Sequence, residues 1–342
     1  MKTPTLSLCA AISLLLVPYL VAEDIPRTPS GRPDFSGNYD VSFLTPLERD
    51  TRFGDRQYFT VEEAQAIADG LAAANARDQE VRDPNRGVIA GRSEEGYLGV
   101  GAYNLFWLDR GTAAFKVDGK YRTSVLTDPP SGRLPPRTEA GQARFDALPP
   151  FGYENTGTAW WLENGDDPYD GPESLTPVNR CVFHQSATIP IGPRAYNNVK
   201  TIVQTDTHVA IVIEWMHWAR IIRLDGEHPP ADYRSYAGDS VGHWDGDTLV
   251  IETTNLLGDW GFHREGADVV ERLSFLDADN LFYEYTVNDP EFTAPYSGSL
   301  PWPRTDARLY EFACHEGNYS MGNTLRGARY LEQQHVEKHG RQ

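Results

Sequence analysis

The sequence is short of cysteine and of basic charge, and each shortage excludes something. Three cysteines among 342 residues allow one disulfide at most. Lys and Arg number 31 against 49 Asp and Glu, a net charge of −18. A nucleic-acid binder needs a basic face, and anionic membrane surfaces repel such a chain. After the first 22 residues no run approaches the roughly 18 apolar residues that a spanning helix requires. Catalytic signatures are missing too. There is no His-Glu-x-x-His pair, no Walker loop and no Gly-x-Gly-x-x-Gly after a strand. No serine is expected on the strand-to-helix elbow of an α/β-hydrolase. Neither a cofactor nor a metal is therefore expected; acidic turns such as "DDPYD" and "DADN" do not match a calcium loop.

What is present begins with "MKTPTLSLCAAISLLLVPYLVA". A lysine precedes an apolar run ending at Leu20-Val21-Ala22, the pattern of a secretory signal peptide over 1–22. The remainder, 23–342, is expected to be one exported, β-rich domain, periplasmic or secreted. Cys181 and Cys314 remain after cleavage, and in an oxidising compartment they are expected to pair.

A Pro/Gly-rich arm, "PRTPSGRPDFSGNYD", leads to a first short strand. In "TVEEAQAIADGLAAANARDQEV", Thr60 and Glu63 form a capping box before an alanine-rich helix. The region up to 180 is turn-rich, with a helical piece "TEAGQARFDAL" and strands at "NLFWLDRG" and "YRTSVLTD". It reads as an irregular lid. From 181 onward, strands alternate with turns such as "TDTH", "WDGD" and "LDADN", the mark of hairpins. "NYSMGNTLRGARYLEQQHVEK" reads as a terminal helix. The expected architecture is mainly β: an antiparallel β-barrel, lipocalin-like, or a related sandwich, with an N-terminal helical decoration and a C-terminal helix.

Alternation places one glutamate among apolar neighbours in each of five expected strands. Glu214 follows "HVAIVI", Glu252 lies in "TLVIETT", Glu271 in "DVVERLSF", Glu284 in "LFYEYTV" and Glu311 in "RLYEFA". Such faces either meet water, as antiparallel sheets permit, or enclose carboxylates that must be paired or protonated. Glu271, with Val269, Leu273 and Phe275 on its face, is the strongest candidate for a sheltered acid or base. Arg220, Arg223, Arg272 and Arg308 are the candidate partners.

Five histidines lie in polar-aromatic contexts: His184, His217, His243, His263 and His315. Their spacing lacks a metal-ligand pattern, which leaves proton transfer or substrate orientation for His217 and His243. Trp215, Trp218, Trp244 and Trp260 could wall a small-ligand pocket. A bridged Cys314 would hold His315, Glu316 and Tyr319 on a rigid turn.

The strings "SGRPDFSGNY", "ARIIRLDGEHPP", "GDSVGHWDGDTLVIETTN", "VVERLSF", "YEYTVNDP" and "CHEGNYSMGNTLRGAR" resemble a widespread family of exported bacterial proteins, mostly without an assigned reaction. The resemblance implies common descent over most of the mature chain and no activity. "FSGNY", 35–39, is similar to the opening Gly-x-Trp of lipocalin-type barrels, with Tyr39 in the place of the tryptophan.

The functional expectation is a pocket protein for a small, partly apolar organic molecule, acting by cofactor-free acid–base chemistry of the lyase, hydratase or isomerase type. Glu271, His217 and His243 are the expected catalytic residues. Glu214, Arg220, Arg272, Glu252, Glu284, Trp215, Trp218, Trp244, His315 and Tyr319 are the expected substrate-binding set. The alternatives are a non-catalytic lipocalin-like carrier and a glycan-cleaving enzyme using paired carboxylates.

Overall fold

The computed structural model describes residues 25–78, 108–147, 157–184, 189–257 and 266–340. The expected signal peptide, 1–22, and the lid stretches 83–107 and 148–156 lie outside them.

The N-terminal part carries strand β1, Gly37–Asp40, and helix α1, Val61–Asp78. The capping box forms: Glu63 N donates to Thr60 Oγ1 at 3.2 Å, and Thr60 N to Glu63 Oε2 at 2.8 Å. A two-residue turn, Asp118-Gly119, joins the short strands β2, Lys116–Val117, and β3, Lys120–Tyr121. Strand β4, Leu126–Asp128, helix α2, Glu139–Ala147, and helix α3, Trp160–Glu163, follow.

The β core comes next: β5, Val199–Gln204; β6, His208–Ile213; β7, Trp218–Leu224; β8, Asp239–Asp245; β9, Thr248–Thr254; β10, Asp268–Asp277; β11, Asn280–Asn288; and β12, Tyr296–Pro303. Ten strands form one sheet in the order β1-β5-β6-β7-β8-β9-β10-β11-β12-β4. Every neighbouring pair is antiparallel except β7 and β8, which run parallel.

The sheet curls into a half-barrel. A bridge between Tyr39 and Arg304, with Thr305 N donating to Asn38 O at 3.0 Å, brings β1 against the exit of β12. Arg304 fastens this junction by donating to Ser36 O at 2.9 Å and lying over the Tyr39 ring at 5.1 Å. Gly37, at φ +147°, is required here, because a Cβ would sit 2.3 Å from the Arg304 guanidinium.

The core lines the inside of the curl: Ile202, Ile211, Ile222, Leu249, Ile251, Leu273, Leu281, Tyr283, Leu300 and Trp302 are all buried. Period-two alternation supplies these residues, and the outer face mixes polar residues such as Glu252 and Glu284 with exposed Val203, Ile221 and Val270. Helix α4, Tyr319–His339, ends the described chain; Asn318 caps it, its side chain accepting from Met321 N at 3.2 Å. It docks on α3 through Glu332, which accepts from Trp161 Nε1 at 2.9 Å and Tyr169 N at 2.7 Å. Cys181 and Cys314 form the expected disulfide. No helix among the described residues is long and apolar enough to cross a membrane.

The stretch "RLYEFA" forms no strand, and the strand expected at 209–217 stops at Ile213. Glu214 takes up a helical backbone conformation, and Met216 a φ of +60°. The chain thus turns sharply before β7.

Candidate functional site

The expected set of five inward glutamates reduces to one. Glu271 lies on the inner face of β10 and is fully buried. Glu252 and Glu284 lie on the outer face and are exposed, Glu214 sits half-buried in the turn after β6, and Glu311 is exposed. The sheet places Glu252 opposite Val241 and Val270, both outward, so its register fixes that side.

Glu271 belongs to a closed polar network. Arg220, on the inner face of β7, donates from both terminal nitrogens to the two Glu271 oxygens, at 2.8 Å to Oε1. Its remaining contacts are Nε to Ser240 Oγ at 3.0 Å and a terminal nitrogen to Thr253 Oγ1 at 2.8 Å. Tyr283 OH donates to Glu271 Oε1 at 2.6 Å and accepts from Ile191 N at 3.0 Å. Burial, followed by the charge of Glu271, holds the Tyr283 phenol well above its ordinary value, so it stays a donor. Burial opposes the Arg220 charge, but Glu271 more than offsets it and raises the guanidinium further. The network stitches β7, β8, β9, β10 and β11 to the segment before β5. Both carboxylate oxygens are engaged.

A Gly-x-Ser-x-Gly string does occur, "GDSVG" at 238–242. It is no nucleophile elbow: it lies within and just before strand β8, and the Ser240 hydroxyl is buried between Arg220 and Thr253.

The other expected residues are spread over the molecule. His243 and Arg272 are on the outer face, with Arg272 bonded to Asp245 at 2.9 Å. His217 lies in the turn before β7. Trp244 faces inward against Phe35, ring centroids 5.6 Å apart. His315 and Tyr319 are exposed beyond the disulfide. Trp260 and His263 lie outside the described residues.

Trp215 and Trp218, by contrast, meet a cluster that sequence reasoning missed. It occupies the rim where β5 begins, β6 ends and β7 begins. Lys200, Ile213 and Trp218 are register partners across these strands and so share the inner face. Lys200 is 3% exposed. Among the described residues its Nζ makes one hydrogen bond, to Asn197 O at 2.6 Å, and no ion pair within 4.0 Å. Burial pushes the Lys200 amine down to about 8; Glu214 pulls against this, and the charge of Arg194 adds to the fall.

Arg194 is the second cation of the rim and is half-buried. Asn198 fixes its backbone, accepting from Arg194 N at 2.8 Å and donating to Arg194 O at 2.9 Å. The Arg194 Nε is buried without a hydrogen-bond partner, and so is Trp218 Nε1. Burial draws the Arg194 guanidinium below its usual range, with Tyr285 acting in the opposite direction. Tyr285 can reach this position because Gly298 faces it; a Cβ there would lie 2.3 Å from the phenol oxygen.

Aromatic rings pack around Trp215 and Trp218. His184 stacks on Trp215 at 4.4 Å, and Tyr196 packs on the same ring at 4.6 Å. Phe183 meets Trp218 edge-on at 4.9 Å. Burial, then the neighbouring Arg194, holds the His184 imidazole down at about 4, so it is neutral near pH 7.

A separate cleft of about 560 Å³ lies between the 44–53 segment, Ile67, Thr123 and Arg133. It mixes both signs of charge. Arg49, its buried cation, spends its donors on Thr123 Oγ1 and the Pro130 carbonyl. Among the described residues lining this cleft no buried side-chain donor lacks a hydrogen bond, whereas the rim holds two, Arg194 Nε and Trp218 Nε1. Scans against protein-family models, curated proteins and solved structures returned no match.

Proposed function

We propose that the chain is an exported pocket protein for a small, partly apolar organic anion, bound at the rim between Arg194, Lys200 and the Trp215–Trp218 wall. One observation carries the reading: buried Lys200 and half-buried Arg194, whose charge acts on Lys200, have no carboxylate in ion-pair contact among the described residues. Isolated buried charge is costly. A ligand carboxylate would neutralise it and satisfy the Arg194 and Trp218 donors, while its apolar body would lie on the rings. The disulfide and the absence of a spanning helix among the described residues agree with export.

Within this reading Glu271 is a structural carboxylate that neutralises Arg220. Proton transfer on a bound substrate, the lyase, hydratase or isomerase reading, is favoured by the depressed Lys200 amine, which carries an acid–base group to the ligand. Glycan cleavage has less support, because Glu252 and Glu284 lie on the outer face, away from the buried carboxylate of Glu271.

The test is a titration of the purified protein with benzoate and cinnamate, followed by tryptophan fluorescence, alongside their methyl esters. Charge-assisted hydrogen bonds contribute about 1.5–3 kcal/mol, so esters should bind about 10- to 100-fold more weakly. Arg194→Gln should remove the preference. Equal binding of acid and ester, or no binding of either, would overturn the proposal.

A further inference from the structure

We propose that Lys200 is an amine nucleophile that condenses with the carbonyl group of an oxo acid held at the rim, a carboxylate bearing an aldehyde or ketone on an aromatic or apolar body. This deepens the rim reading and rests on it. The chain contains five lysines, at positions 2, 116, 120, 200 and 338. Lys116, Lys120 and Lys338 are exposed, and Lys2 lies outside the described residues. Lys200 alone among the described lysines is buried, and the charge of Arg194 acts on it.

A lysine needed only for charge would be expected to meet a carboxylate. Lys200 instead meets one backbone carbonyl, leaving two of its three ammonium hydrogens without a partner among the described residues. The guanidinium of Arg194 supplies what a nucleophilic amine beside an anionic substrate requires, a permanent cation that binds the carboxylate whether or not the lysine is protonated. The charged groups acting on Lys200 come from every neighbouring element: Glu214 after β6, Arg194 before β5, Asp40 at the end of β1 and Asp109 before β2. Desolvation outweighs the three carboxylates, which leaves a neutral fraction of the amine at neutral pH.

The step is balanced. The Nζ lone pair adds to the carbonyl carbon, and the proton lost from nitrogen passes to the carbonyl oxygen, giving a carbinolamine. A second proton then lets this hydroxyl leave as water, so that a C=N bond replaces C=O. No oxidant or reductant takes part. The imine withdraws electrons from the adjacent carbon, which is what a lyase or isomerase acting beside a carbonyl requires.

The experiment treats the whole protein with 4-carboxybenzaldehyde and sodium cyanoborohydride, followed by peptide mass mapping. The expected result is near-complete reductive labelling at Lys200, with Lys116, Lys120 and Lys338 labelled at least ten times less. Lys200→Arg and Lys200→Met should lose the label, and excess benzoate should protect Lys200. The labelling rate should climb with a midpoint near the Lys200 value of about 8. If either variant fails to fold, the site distribution and benzoate protection in the wild type still decide. Benzoate binding without Lys200 labelling overturns the nucleophile and leaves the rim reading standing. No benzoate binding and no labelling overturns both, as does labelling spread evenly over the lysines and indifferent to benzoate.

Discussion

Replacing Glu271 by Gln removes one charge from the centre of the sheet while keeping its shape. Arg220, 3% exposed, would lose its carboxylate and keep only the hydroxyls of Ser240 and Thr253 and an amide oxygen. Breaking a buried ion pair on one side costs about 3–5 kcal/mol, because the remaining charge is uncompensated. That is a large part of the roughly 5–15 kcal/mol by which a domain is stable. Urea unfolding followed by tryptophan fluorescence reads the loss as a lower midpoint at an unchanged slope. The double variant Arg220→Met with Glu271→Leu should recover much of it, since an apolar pair of similar volume carries no desolvation penalty. A loss below about 1 kcal/mol for Glu271→Gln, or a double variant as unstable as the sum of the singles, would refute the claim that this pair is a mutually dependent strut.

Lys200 makes stability depend on alkaline pH. Its ordinary value of 10.5 falls to about 8 in the fold, so between these the unfolded chain holds one more proton and stability rises with pH. The full difference is about 3 kcal/mol, and Lys200→Met should flatten the rise, measured from pH 7.5 to 9.5, below the range where buried Tyr283, Tyr285 and Tyr296 reverse the trend. His184, held at about 4, charges more readily when unfolded, so stability should fall as pH drops from 6.5 towards 4. His184→Phe should reduce that slope in acid unfolding curves. Reducing Cys181–Cys314, which closes a loop with a sequence separation of 133, should cost roughly 5 kcal/mol in the chain-entropy picture, checked by urea unfolding with and without dithiothreitol. Glu332→Leu strands the Trp161 and Tyr169 donors and should cost about 1–3 kcal/mol, with local release of α4 seen as faster amide exchange there.

Local signals were legible where a short stretch determines its own geometry. Thr60 and Glu63 announced α1, the run "NYSMGNTLRGARYLEQQHVEK" α4, and "WDGD" and "LDADN" the β8–β9 and β10–β11 hairpins. The inward position of Glu271 was legible because Val269, Leu273 and Phe275 share its face. Glu252 and Glu284 were not, since each shares the outer face with an apolar neighbour, Val250 or Phe282, that is buried or half-buried. Lys200 was hidden for a related reason. In "VKTIVQ" the face holding Lys200, Ile202 and Gln204 is the more polar one, yet it turns inward, and Val203 is left 51% exposed. Neighbouring strands set this choice, with Tyr39 and Ile213 as the register partners of Lys200. Arg194 lies in an irregular segment whose position depends on Asn198, so no periodicity could reveal it. The parallel β7–β8 junction depends on a long connection and had no local signal either.

The most direct test of the anion site is a crystal of the wild-type protein soaked in 4-bromobenzoate, with the bromine located by its anomalous scattering. The prediction is one site at the rim, with the carboxylate about 3 Å from the Arg194 guanidinium and the Lys200 amine and the ring against Trp215 or Trp218. Bromine absent from the rim, or found only in the cleft beside Arg49, would contradict it.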